Sequence, residues 1–319
     1  MSEWTHAIHA IFPMAKVALI GERYNDYSNP REDNWNREVL QNPVSAHADA
    51  ATLHIYCPLD EQHVSSDPAN VAKHLATAFY RVSKNEQTVA TQIPAHLRVW
   101  VTEMGVYPGG ALLWTWLEAL FYALMDVLLP RIRRIDILTP YCLVCGDPTA
   151  PSFITDTEHA VVPPADAGKV PWSLSLKGHA QSMVFMAARD ADVMMPLEFS
   201  ENRPLDPNTP GSDTLVGWLF AQNSTNDDTR IDRGSFSATN ATMVIVNAGA
   251  ASVDVKFGDL FPCGTGGTTS CRCVGSYPKH AHDVVRPGMS VSDLGSLSGD
   301  CEGDQVTIPA YGIVTVIKL

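Results

Sequence analysis

Short apolar runs alternate with helix-length amphipathic segments over residues 1–190. The runs are rich in Val, Ile, Leu and Ala, a pattern typical of strands buried in a parallel sheet. Four such strands are predicted, at residues 16–21, 50–56, 98–102 and 135–138. Apolar residues at helical spacing predict helices near 35–41, 70–84, 111–129 and 178–190. This order of elements predicts βαβ units and an α/β fold.

Beyond residue 190 the pattern changes to short β-type runs that are separated by turn residues. In the last run Ile313, Thr315 and Ile317 alternate with Val314 and Val316, as in a strand with two different faces. These runs predict an antiparallel β-sandwich. The chain is therefore expected to contain two domains, at residues 1–190 and 191–319, which agrees with its length of 319 residues.

The apolar segment 111–129 has one competing interpretation, a helix that crosses a membrane. It is just long enough to span a bilayer at about 1.5 Å per residue. Glu118 and Asp126 would then lie in hydrocarbon, at a cost of roughly 2.5 to 3.5 kcal/mol each. The sequence therefore favours a helix that is buried against a sheet, and no membrane partner.

Composition and charge narrow the functional classes. With 45% apolar and 18% charged residues, the chain can bury a core and is not a disordered protein. Lys and Arg number 22 against 35 Asp and Glu, and the net charge of −13 argues against a nucleic-acid partner.

The localisation stays unknown. The first 20 residues lack a secretory signal, whereas two sequons, at Asn223 and Asn240, and a C-terminal cysteine cluster suggest a secreted parent.

The cysteines allow several arrangements. Seven is an odd number, and Cys263, Cys271, Cys273 and Cys301 lie among Gly, Ser and Thr, where one or two disulfides would staple a loop. Residues 142–145 have the CxxC spacing of redox or zinc sites, but neither a second CxxC nor a nearby His pair accompanies them. Ordinary thiols or a local disulfide explain this pair without a metal.

Polar residues mark the carboxyl ends of the predicted parallel strands, where α/β barrels carry their active sites. They are Glu22, His54, Tyr56, Glu103 and Tyr141. Glu103 directly follows an apolar run, so its strand could present the carboxylate to the anomeric carbon of a sugar. The competing interpretation is an ordinary strand-end carboxylate that pairs with a Lys or Arg. His54 and Tyr56 share one strand face and form either a pocket wall or a hydrogen-bonded core pair.

Several strings resemble a known family. VWVTEMG is similar to the nucleophile strand of retaining (β/α)8-barrel (TIM barrel) glycoside hydrolases, and DAATLHIY resembles the preceding strand of the arabinofuranosidase and xylosidase branch. FPMAKVALIGERYND resembles their fifth-strand region, and IPAYGIVTVIKL resembles the closing strand of their accessory β-sandwich. The resemblance implies strands five to eight of an incomplete barrel, Glu103 as the nucleophile, a carbohydrate substrate, and no metal or organic cofactor.

By this resemblance the general acid/base glutamate belongs to the fourth strand, ahead of residue 1. Glu22 is the alternative acid, although a place at the edge of the pocket or an ion pair with Arg23 fits its position better. Trp172, which directly follows the long loop 146–171, is a candidate to stack on a sugar face. A half-barrel has two open sheet edges, which predicts self-association and weak or no activity alone. The competing function is a non-catalytic carbohydrate-binding or structural protein derived from such a hydrolase.

Overall fold

The computed structural model describes residues 2–22, 34–57, 64–106, 110–141, 154–155, 173–189, 191–222, 241–257, 270–301 and 304–318. Four strands in its first part form one parallel sheet in chain order: β1 (Ala18–Ile20), β2 (Ala50–Cys57), β3 (Arg98–Val106) and β4 (Ile135–Pro140). The four predicted strands and the α/β character of this region are thus confirmed. Strands β3 and β4 continue beyond the predicted ends.

Helix α1 (Ser2–Ile11) precedes β1 and is mostly exposed, whereas α2 (Pro68–Gln92), α3 (Trp116–Leu128) and α4 (Leu176–Ala188) contribute to the buried core. Residues Asn36–Leu40 form a short π-helical turn where a helix was predicted. Helix α3 begins later than predicted because the Thr115 side chain accepts a hydrogen bond from Glu118 N and caps the helix there. Helix α1 was not predicted.

The two faces of the parallel sheet differ in burial. Along β2, Leu53, Ile55 and Cys57 are fully buried and belong to the core that the helices share. Thr52, His54 and Tyr56 alternate with them on the opposite face and are partly or largely exposed. Because side chains alternate along a strand, this second face is where polar groups can gather without disturbing the core.

Two short strands before residue 190, β5 (Ile154–Thr155) and β6 (Ser173–Leu174), pair with each other, and β5 lies where a loop was predicted. The described residues beyond 190 are mainly antiparallel, as predicted. A six-stranded sheet follows in the spatial order β12-β11-β14-β9-β8-β7. Its strands are β7 (Val193–Pro196), β8 (Leu215–Ala221), β9 (Ala241–Asn247), β11 (Cys271–Tyr277), β12 (Gly295–Asp300) and β14 (Ile313–Lys318). Strands β10 (Val253–Lys256) and β13 (Gln305–Ile308) form a separate pair.

The six-stranded sheet is covered on both faces. Ile245 and Val316 pack with Val255 and Ile308 of the two-stranded sheet. Val244 and Val246, which point the other way, pack in the same core as the helices. A disulfide between Cys273 and Cys301 joins β11 to the residue that follows β12. Residues 191–319 therefore have two packed sheets, and one of them also packs against the helices.

Helix α3 links the parallel sheet to the antiparallel one. All of its residues are buried. The Trp116 indole N–H donates to the Tyr311 carbonyl at 2.7 Å, and the Trp218 indole N–H donates to the Val127 carbonyl. None of the helices in the described ranges is long and apolar enough to span a bilayer. The apolar character of this segment reflects burial between two protein layers.

Candidate active site

A β-bulge turns Glu103 onto the polar face of the parallel sheet. Leu53 of β2 pairs with Val101, but the next residue, His54, pairs with Glu103, so Thr102 is an extra residue on β3. Residues that pair across strands point to the same face, and without the bulge Glu103 would point into the buried layer. Glu103 therefore lies inside β3 beside His54, and the prediction that it follows the strand is wrong because the bulge lets the strand continue.

The Glu103 carboxylate is held by two neighbours from β2. The Tyr56 hydroxyl donates a hydrogen bond of 2.6 Å to Glu103 Oε2, and His54 Nδ1 lies 3.2 Å from the same oxygen. The side chains of Glu103 and His54 are 34% and 49% exposed, so a ligand can reach both. A carboxylate that is oriented by a short hydrogen bond and open on one side can act as a nucleophile or stabilise a developing positive charge.

Tyr141 completes one wall of this cluster. It follows β4 directly, and its ring packs edge to face against the Tyr56 ring, with the centroids 6.2 Å apart. Glu103, His54, Tyr56 and Tyr141 were each singled out in the sequence at a strand end. The structure brings all four together on adjacent strands.

Glu22 lies at the carboxyl end of β1, on the other side of β2. Its backbone N–H donates to Asn36 Oδ1 and its carbonyl accepts from Asn36 Nδ2, both at 2.7 Å. The Asn36 side chain therefore fixes the chain direction at this strand end. Trp172, Arg23 and the cysteines of 142–145 lie outside the described residues.

Two residues next to the cluster, Gly105 of β3 and Tyr122 of α3, were not identified as site residues from the sequence. A Cβ atom on Gly105 would lie 2.9 Å from Tyr122 Oη and 3.1 Å from a Tyr56 ring carbon, so only glycine lets both tyrosines approach β3. Burial, with the nearby Glu118 carboxylate, raises the pKa of Tyr122 well above its usual value. The hydroxyl therefore remains protonated and can donate a hydrogen bond.

The described residues contain no cluster of three or more His, Cys, Asp or Glu that could hold a metal ion. A cleft of about 450 Å³ opens elsewhere, between residues 41–46 and 91–96, and is lined by Gln41, Gln92 and His96. These segments precede β2 and β3, so the cleft lies at the amino ends of the strands. Active sites of parallel α/β folds occur at the opposite end, where Glu103 lies.

Comparison with known proteins places this geometry in a structural context. The sequence matches no family model and no curated protein. The fold is similar to a family 51 α-L-arabinofuranosidase from Bifidobacterium longum, with a TM-score of 0.65 and 12% identity over 99% of this chain and 62% of that one. An α-L-arabinofuranosidase from Thermotoga maritima gives a TM-score of 0.59 and 12% identity over 100% of this chain and 60% of that one.

A 4-O-α-L-rhamnosyl-β-D-glucuronidase from Fusarium oxysporum is also similar, with a TM-score of 0.58 and 10% identity over 99% of this chain and 62% of that one. The chain thus spans about three-fifths of the length of these enzymes. At such low identity the likeness concerns the fold alone. The chain shares the fold of these enzymes over the part of their length that the matches cover.

Proposed function

We propose that this chain carries the nucleophile of a retaining glycoside hydrolase, and that Glu103 is that nucleophile. The observation that supports the proposal is the bulge on β3, which presents Glu103 beside His54 and Tyr56 at the carboxyl ends of parallel strands. An ion pair with Lys or Arg, the competing role for this carboxylate, is not among its described contacts, which come from a phenol and an imidazole.

In the proposed reaction a Glu103 oxygen attacks the anomeric carbon of a bound sugar. A bond forms between that carbon and the carboxylate while the bond to the leaving oxygen breaks, and the leaving group takes the electron pair. Water then attacks the same carbon, gives up one proton to the solvent, and releases Glu103 as a carboxylate. The Tyr56 hydroxyl, which donates to Oε2, keeps the carboxylate oriented toward the open side of the sheet.

The test uses an activated leaving group that needs no proton donor, so that Glu103 is examined separately from the acid. Aryl arabinofuranosides, xylosides and glucuronides with a 2,4-dinitrophenolate leaving group are mixed with the protein. We expect a burst of dinitrophenolate and a peptide containing Glu103 that gains the mass of one sugar residue. Glu103→Gln should remove both signals, whereas Glu38→Gln, at an exposed carboxylate, should keep them.

The competing function, a non-catalytic carbohydrate-binding protein, predicts a different result. Both the wild type and Glu103→Gln would then bind the sugar without releasing dinitrophenolate. A burst that survives in Glu103→Gln would show that another residue is the nucleophile and would overturn the proposal.

A further inference from the structure

A buried lysine lies directly below the candidate site. Lys177, in the first turn of α4, is only 3% exposed. Its ammonium donates a 2.6 Å hydrogen bond to the Tyr141 carbonyl and lies 4.2 Å from the centroid of the Tyr122 ring. Burial of a lysine is costly unless its charge is compensated by partners. The hydrogen bond to Tyr141 and the contact with the Tyr122 ring therefore compensate for part of the cost of burying Lys177.

Lys177 and Tyr122 together hold the ends of β3 and β4. The Tyr122 hydroxyl donates to the Tyr141 carbonyl and accepts from the Val106 N–H, each at 3.3 Å. Val106 is the last residue of β3, and Tyr141 follows β4. The Tyr141 carbonyl therefore receives two buried donors, Tyr122 from α3 and Lys177 from α4.

A short chain of contacts joins this junction to Glu103. The Tyr141 ring packs against the Tyr56 ring, which also lies so close to Gly105 that a Cβ atom there would be 3.1 Å from it. Tyr56 donates the 2.6 Å hydrogen bond to the Glu103 carboxylate. If the Tyr141 backbone moved, the Tyr56 ring would lose one of the surfaces that fix its position.

Two carboxyl groups of α3 act on Lys177. Burial lowers the pKa of Lys177 to about 8, while the carboxyl groups of Glu118 and Asp126 act to raise it. Attraction to these carboxyl groups alone would not require the amine to reach a strand end. Its hydrogen bond to Tyr141 gives it a second role.

We propose that Lys177 is a positioning residue, which fixes the Tyr141 carbonyl and through it holds Tyr56 against the candidate nucleophile Glu103. This inference rests on the proposed function for its effect on catalysis, but the arrangement of the two tyrosines can be measured without catalysis.

The experiment compares Lys177→Met with Gln181→Met. Gln181 lies one turn further along α4, is equally buried, and contacts Asp126 without touching either tyrosine in its described contacts. Protein with ¹³C-labelled tyrosine rings reports the positions of Tyr56 and Tyr141 by NMR, and dinitrophenyl glycosides report turnover. We expect Lys177→Met to shift both tyrosine resonances and to lower kcat by about 10- to 100-fold with little change in KM. Gln181→Met should lower thermal stability only.

The proposal is overturned if Lys177→Met leaves both tyrosine resonances in place, or if Gln181→Met moves them equally. Should the wild type form no glycosyl-enzyme while Lys177→Met still shifts the tyrosines, the proposed function fails and the positioning of the tyrosines stands. If Lys177→Met does not fold, the double variant Lys177→Met with Asp126→Asn removes a buried amine and a buried acid together, and the same NMR comparison decides.

Discussion

Replacing Asp126 by asparagine should stabilise the protein at neutral pH and above. Asp126 is fully buried in α3, and one carboxyl oxygen accepts a 2.8 Å hydrogen bond from Gln181. Its second oxygen and Gln181 Oε1 have no hydrogen-bond partner within the described residues. A protonated carboxyl could donate to Gln181 Oε1 after a flip of the amide, and asparagine offers the same donor without a charge.

Burial raises the pKa of Asp126 from 3.8 to about 8, against the opposing effects of Gln181 and Lys177. Because the folded-state pKa is the higher one, the stability linked to this group is fully present below pH 3.8 and is lost as the pH rises toward 8. At pH 7 the loss is at most about 4 kcal/mol, from about three pKa units at about 1.4 kcal/mol each. Asparagine is uncharged at every pH and avoids this loss, so we expect the free energy of unfolding at pH 7 to rise by up to about 4 kcal/mol.

Urea unfolding, followed by tryptophan fluorescence and far-ultraviolet circular dichroism between pH 5 and pH 9, measures this effect. Asp126→Asn should flatten the decline of the free energy of unfolding with pH. Asp136→Asn is the matched control. Arg98 lowers the pKa of that exposed carboxyl, so its ionisation stabilises the folded protein, and the replacement should lower the free energy of unfolding rather than raise it. Equal pH dependence in the wild type and Asp126→Asn would refute the reasoning.

Three further outcomes are expected. Tyr56→Phe removes the donor to Glu103 and should lower kcat/KM for a dinitrophenyl glycoside by about 10- to 100-fold, the equivalent of one hydrogen bond to a charged group; an unchanged value would contradict the assigned contact. Gly105→Ala should lower both turnover and the melting temperature, because its Cβ would lie 2.9 Å from Tyr122 Oη; wild-type values for both would exclude this close approach. Replacing Cys273 and Cys301 by serine opens a link across 28 residues and should cost about 3 to 4 kcal/mol of unfolding free energy in urea; a reductant, which also opens the disulfide of Cys271, should cost the wild type at least as much.

The strands of the parallel sheet could be predicted from sequence because each is a short apolar run, although β4 and one face of β2 are partly exposed. Strand β11 could not, since its buried positions are Cys271, Cys273, Gly275 and Ser276, and small residues give little hydrophobic signal. Strand β12 is largely exposed and carries Gly and Ser, so its sequence gives little hydrophobic signal either. The pairing of these strands is set by their neighbours in the sheet rather than by their own composition.

The candidate site was likewise only partly predictable from the sequence. Strand-end position was enough to identify Glu103, His54, Tyr56 and Tyr141, but the bulge that unites them depends on the pairing register between β2 and β3. The buried helix α3 has one pattern that could be recognised in the sequence. Glu118, Tyr122 and Asp126 recur every four residues in an otherwise apolar helix, which indicates a buried polar stripe. Their partner Lys177 lies on another helix, and no local pattern connects the two.

The position of α3 between the two sheets has a consequence for how the protein unfolds. Separating residues 1–190 from 191–319 would expose the apolar surfaces of this helix and leave the indole donors of Trp116 and Trp218 without their acceptors. Neither half is then expected to fold when expressed alone. Calorimetry of the whole chain should show a single endotherm, so the two regions behave as one cooperative unit even though their strands run in different patterns.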